Sequence, residues 1–234
     1  MDPILKAARV CKQEVNAGEL ALINAQALRP LSAEEVFTFR LAACDNQVDR
    51  DNERFTEDAL KEMADLFVGR PVLMDHQWSA RSQTARIYAG HVEENGPAQR
   101  LILRCYMPRT DKTRDTITAL EGGILRECSV GVAVRKSVCS ICGANQTETL
   151  CQHRGGREYE GKRCWFDLDQ VADAYEVSLC AVPSQPEAGA VKSKRYGGQE
   201  PQDPDPAETG EAEAMLLARA MQEQEEKRYG GMEE

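Results

Sequence analysis

Three short runs of this chain carry side chains whose types and order suit nucleophilic catalysis. Gly69-Arg-Pro-Val-Leu-Met-Asp-His76 ends on a histidine. Glu127-Cys-Ser129-Val-Gly-Val-Ala-Val134 sets a serine among small and branched residues, and Tyr175-Glu176-Val-Ser-Leu-Cys-Ala-Val-Pro183 supplies a glutamate. An imidazole can take the proton of a serine hydroxyl while a carboxylate holds the ring in the tautomer that leaves its accepting nitrogen bare. The chain has three histidines, His76, His91 and His153. His153 is better explained as a metal ligand and His91 sits mid-strand between Gly90 and Val92, so His76 is the expected base, with His91 the alternative. Asp169 and Asp173 compete with Glu176 for the carboxylate role. Each residue alone has a plainer reading: a small serine at a crowded strand crossing, an exposed histidine, a solvated edge glutamate.

A second constellation suits a metal. Cys139-Ser-Ile-Cys142-Gly143 is half of a zinc knuckle, with glycine where the turn after the second thiol must tighten, and Cys151-Gln-His153 adds two ligands after a short loop. Three thiolates and one imidazole make a closed tetrahedral set for a borderline-soft d10 ion, so the expected cofactor is a structural zinc. Cys164 follows closely enough to replace His153. A catalytic zinc that made Ser129 irrelevant would need an open coordination position, which four such ligands do not leave. The remaining cysteines, Cys11, Cys44, Cys105, Cys128 and Cys180, are scattered through apolar runs and read as small buried hydrophobes.

These residues need elements to position them. On a strand, Ser129, Gly131 and Ala133 share one face and Val130, Val132 and Val134 the other. The small face leaves Ser129 open to approach. His76 should share a face with Val72 and Met74, and Glu176 with Ser178 and Cys180. A strand is expected at 36–43, then a polar loop at 45–52, and Thr56 caps a helix through Phe67. Strands over 85–94 and 100–107 flank the Asn95-Gly96-Pro97 turn, and a helix from Thr110 or Asp111 to Leu120 stops at Gly122-Gly123. The sum is a β-rich α+β domain over 36–193 with a metal-binding insertion at 139–164. A helical segment (Leu5 to Leu28) precedes it within 1–35, and a tail covers 194–234.

The order of these motifs resembles the prohead (capsid maturation) proteases of tailed phages, related in fold to the herpesvirus assemblins. The match rests on Asp49-Arg-Asp-Asn-Glu-Arg-Phe55 before a helix, on His76 after a Pro-Val-Leu run, on Ser129-Val-Gly131, and on Glu176-Val-Ser-Leu-Cys-Ala-Val-Pro183 with Pro186 and Ala188. It covers roughly residues 36–192. The resemblance implies an assemblin-like β-barrel flanked by helices. It also implies Ser129 as nucleophile, His76 as general base and Glu176 as the orienting third member. Assemblins place arginines after that third member, whereas here none follows before Arg195. Oxyanion donors are therefore sought among backbone N–H groups near Gly131 or the Gly122-Gly123 turn. The implied activity is a serine endopeptidase of virion assembly that cleaves scaffold and major capsid protein, and itself, inside the assembling prohead. The alternatives are a non-enzymatic capsid-assembly protein of the same fold and a zinc-ribbon adaptor.

Composition sets the outer bounds. The net charge is −10, of which residues 196–234, with 11 acids and 3 bases, carry −8. A near-neutral body with an acidic tail argues against a nucleic-acid partner. No apolar run is long enough to span a bilayer, and the first residues lack a secretory pattern, so a cytoplasm is the expected location, which the resemblance makes the host's, and no membrane is the expected partner. Self-association is compatible with the family. Lys194-Arg-Tyr-Gly-Gly198 recurs as Lys227-Arg-Tyr-Gly-Gly231 around an acidic stretch with a short helix expected at 212–224. The repeat reads as paired self-cleavage points or as a docking motif used twice.

Overall fold

The spine of the protein is a hairpin of two long strands, β6 (Cys128–Cys139) and β9 (Phe166–Leu179), in the computed structural model, which describes residues 15–185 and 188–189. The chain divides into two units, of which 1–193 contains every described residue. Residues 194–234, with the helix expected there and both copies of the repeat, lie outside the described residues, as do residues 1–14.

Around that hairpin the strands follow the order β1 (Val36–Asp45), β5 (Ala98–Pro108), β4 (Ala85–Asn95), β3 (Pro71–Met74), β9. The short β2 (Glu53–Phe55) pairs in parallel with the start of β9, and β3 pairs in parallel with its end, while β7 (Glu158–Tyr159) and β8 (Lys162–Arg163) form a separate two-stranded sheet. Helix α2 (Glu57–Leu66) makes the crossover between them. Its cap is legible in chemistry: the Thr56 hydroxyl accepts from the Ala59 N–H at 3.1 Å and donates to Asp169 at 2.7 Å. Leu60, Met63 and the C-cap residue Phe67 are fully buried against the sheet with Leu41, Ile87, Leu101 and Leu103. Burial of this kind is worth about 1.5–3 kcal/mol for each large side chain.

The flanking helices are shorter than the sequence pattern suggested. Among the described residues the first helix, α1, covers Ala17–Asn24, capped by an Asn16–Glu19 capping box. The third, α3, covers Arg114–Glu121, because Thr110 and Thr113 spend their hydroxyls on a turn that delays its start.

The expected closed barrel does not form. The strands make an open path, and between the end of β1 and the edge of β6 lies a cleft of about 390 Å³, lined in part by Ala43, Asp49, Asp51, Glu53, Ser129 and Gln185. The segment after β9 lies where a β1–β6 ladder would form, and the acidic loop lines the cleft beside it. Gly189 spans the gap, bridging Ala42 on one side and Glu127 on the other. A Cβ at Gly189 would lie 2.5 Å from the Arg126 carbonyl oxygen, so only glycine fits there. Gln185, buried, fastens this segment by accepting from the Asp45 N–H (2.6 Å) and donating to its carbonyl (3.1 Å). The fold is thus mixed α+β and strand-rich, with three α-helices and an open sheet among the described residues.

Candidate active site and metal centre

The β6–β9 register decides which of the candidate residues meet. Ser129 lies opposite Ser178, and Gly131 opposite Glu176. Directly opposed residues of an antiparallel pair share a face with Cα atoms about 4.5–5.5 Å apart, so Ser129, Gly131, Glu176 and Ser178 form one patch. A β-bulge follows Gly131 and skips Tyr175 on the partner strand, which ends the regular ladder beside the patch.

His76 enters from β3. Asp75 N–H continues the pairing by donating to the Leu179 carbonyl at 2.9 Å. The chain then turns sharply: Gln77 N–H donates to the Met74 carbonyl at 3.0 Å, and Asp75 and His76 both sit at φ 52°. Two left-handed residues at the centre of a turn are the pattern of type I′, which ordinarily uses Asn and Gly. Non-glycine residues held there store strain of the kind that collects at functional sites. The sequence pattern placed His76 on the strand, sharing the Val72–Met74 face. The strand instead ends at Met74 and the turn aims the ring back over β9.

There the imidazole Nδ1 lies 2.7 Å from Glu176 Oε1. Glu176 is 2% exposed, not a solvated edge residue, while the His76 side chain is 42% exposed. The hydrogen bond to Glu176 raises the His76 pKa above its ordinary value, against the opposing effect of partial burial; the charges of Glu176 and Asp75 add to the rise. The competing carboxylates are otherwise engaged: Asp169 on Thr56, and Asp173 on Arg70 at 2.7 Å. His91 lies 3.6 Å from Glu93 on β4 and has no part in this patch.

Ser129 is partly buried and lines the cleft beside β6. Among the described residues no hydrogen bond joins its hydroxyl to His76, whose Nε2 is likewise unengaged. The open small face expected at Ser129 is in part occupied. A Cβ on Gly131 would stand 2.6 Å from Glu176 Oε1, so this glycine makes room for the carboxylate. Gly122 and Gly123 offer no free donors, because their N–H groups close the end of α3 on the Thr118 (2.8 Å) and Leu120 (3.1 Å) carbonyls.

One member of the patch had no role assigned from sequence. Ser178, fully buried, accepts the His76 backbone N–H at 2.9 Å and donates to Glu176 Oε2 at 2.7 Å. The signal was present in Glu176-Val-Ser178, where period-two alternation sets both polar residues on one face.

At the far end of the same hairpin, where Cys139 pairs with Phe166, the insertion begins. Cys139, Cys142, Cys151 and His153 bring their ligand atoms within 4.8 Å of one another, a cluster that can hold a metal ion. The turn expected after Cys142 is present: Gly143, at φ 74°, donates to the Cys139 carbonyl at 2.8 Å. His153 Nδ1 is buried without a hydrogen-bond partner, and its ring stands edge-on to Tyr159 at 4.6 Å. A buried nitrogen without a partner is costly unless something binds it, and a cation among three thiols would do so. Cys164 Sγ lies 3.9 Å from Cys139 Sγ but outside the mutually close set. Comparison with protein-family models, with curated proteins and with solved structures finds no match.

Proposed function

We propose that the chain is a serine endopeptidase of the tailed-phage prohead type, with Ser129 as nucleophile, His76 as general base and Glu176 as the residue that orients the base. The observation that carries this reading is the His76–Glu176 pair: a buried carboxylate 2.7 Å from one ring nitrogen, with the other nitrogen free and the serine hydroxyl on the adjoining strand. In that chemistry the ring takes the hydroxyl proton on Nε2 as Oγ attacks a peptide carbonyl, and Glu176 stabilises the imidazolium that forms. The proton then passes to the leaving amine, and water repeats the cycle on the acyl-enzyme. Resting hydrogen bonds of this kind are often long and tighten when substrate binds. The substrates in this reading are scaffold and major capsid protein, with self-cleavage, in a prohead assembling in the host cytoplasm.

The ion in the cluster is, in the same reading, zinc in a structural role. Its donor set is soft, and four protein ligands leave no position for a substrate or water. Its work is to fold an insertion that contains almost no apolar core.

The test is incubation of the purified protein with its scaffold, read by mass, beside Ser129→Ala. The mutant should remain folded and cleave nothing; cleavage by that mutant refutes the assignment. The missing hydrogen bond between Ser129 and His76 favours a second reading, a capsid-assembly protein of the same fold without activity. A fluorophosphonate probe separates the two: labelling of Ser129 that disappears in His76→Ala supports the enzyme, and an unlabelled wild type supports the assembly protein.

A further inference from the structure

We propose that Ser178 is a positioning residue that fixes the tautomer of His76 by supplying one hydroxyl to both the histidine backbone and the glutamate. The inference deepens the peptidase reading and rests on it for its functional consequence, though its structural part does not. The directions of the hydrogen bonds follow from obligatory donors. A backbone N–H can only donate, so at 2.9 Å the Ser178 Oγ must accept from His76. Its one proton is then free to point at Glu176 Oε2, 2.7 Å away. That oxygen is thereby taken, and Oε1 is the one left for the ring at 2.7 Å. An ionised carboxylate only accepts, so Nδ1 carries the ring proton and Nε2 of the neutral imidazole is bare.

The same hydroxyl also anchors the strained part of the backbone. His76 sits at φ 52° in a turn that an ordinary side chain disfavours, and its N–H is held by Ser178. Ser178 is fully buried, so no water can replace its hydroxyl without displacing neighbours. Its place on β9 opposite Ser129 joins the histidine turn, the glutamate and the strand of the nucleophile at one point.

The experiment is 15N spectroscopy of histidine-labelled full-length protein, at a pH above the His76 titration, together with kcat and KM on a cleaved peptide. In the wild type the neutral ring should carry its proton on Nδ1. Ser178→Ala should mix the tautomers and lower kcat by about 10–100-fold with KM little changed, since misplacement of a base by a fraction of an ångström costs on this scale. Ser178→Thr, which keeps the hydroxyl, should restore the signature. A wild-type neutral ring protonated on Nε2 overturns the proposal whatever the variants do, and so does Ser178→Ala with the wild-type tautomer and kcat. The peptidase reading fails separately: if Ser129→Ala still cleaves, the tautomer measurement stands and the nucleophile is wrong.

Discussion

Glu176 occupies the space that Gly131 leaves empty. The two residues face each other across the β6–β9 ladder, and a Cβ at position 131 would stand 2.6 Å from Oε1, the oxygen that holds the histidine. The clash would be with a carboxylate pinned on both oxygens, so it cannot be relieved by a small rotation. Gly131→Ala is therefore expected to push Glu176 off the ring. Stability should fall by roughly 1–3 kcal/mol, typical of overpacking, and kcat/KM by about 100-fold. Thermal unfolding and peptide hydrolysis measured side by side check this, and wild-type activity in the variant would show that the contact has no bearing on catalysis.

The pH dependence follows from the raised pKa of His76. Its hydrogen bond to Glu176 lifts the ring above the ordinary value of 6.5, and in the proposed peptidase a general base works only when neutral. Activity should rise with pH and level off above a midpoint higher than that of a free histidine. The stability consequence has the opposite slope. A pKa raised by folding contributes stability that is fully present below the unfolded value and is lost as pH rises through the folded one. Glu176→Gln leaves the ring only a neutral amide oxygen as acceptor, taking away the charge that favours the imidazolium, and should move the activity midpoint back down. A midpoint unmoved by that change would assign the titration to another group.

The metal cluster predicts a local rather than a global response. Cys139, Cys142, Cys151 and His153 should bind about one equivalent of zinc. Cys142→Ser and His153→Ala should each weaken retention against a chelator, whereas Cys164→Ser should leave the stoichiometry unchanged. Hydrogen exchange after metal removal should rise across 139–164 and much less in the β1, β4 and β5 core. Metal analysis with exchange mass spectrometry checks both. Loss of metal from Cys164→Ser with retention in His153→Ala would make Cys164 the fourth ligand.

Much of the site was legible because short-range patterns dictate it. Period-two alternation set Glu176 with Ser178, and Cys-x-x-Cys-Gly set the turn on which the first two thiols stand. Thr56 capped its helix as its hydroxyl allows. What escaped the sequence was set by distant partners. The left-handed turn at Asp75–His76 is stabilised by the Ser178 hydroxyl and the Leu179 carbonyl, about a hundred residues away in the chain, and no local propensity favours it. The missing barrel closure has the same origin. The β1 and β6 edges carry ordinary strand residues, and it is the Gln185 clamp on Asp45 that sets another segment between them.

The cleft at that open edge holds a carboxyl out of its usual range. Glu53 is pushed up to about 7, chiefly by burial and then by the charges of Asp49 and Asp51 beside it. Burial raises Asp49 as well, in spite of the N–H donors it accepts from Asp51 and Glu53. A carboxyl whose pKa rises on folding keeps its proton more tightly in the folded state, so stability declines as pH climbs from the ordinary value of 4.5 through 7. Glu53→Gln removes that penalty. A tenfold change in proton affinity on folding corresponds to about 1.4 kcal/mol, and a group still partly open to solvent realises only part of it. The variant should gain roughly 1–2 kcal/mol at pH 8 and almost nothing at pH 4. Urea unfolding at the two pH values measures the difference, and an equal effect at both would show that the gain, if any, has no electrostatic origin.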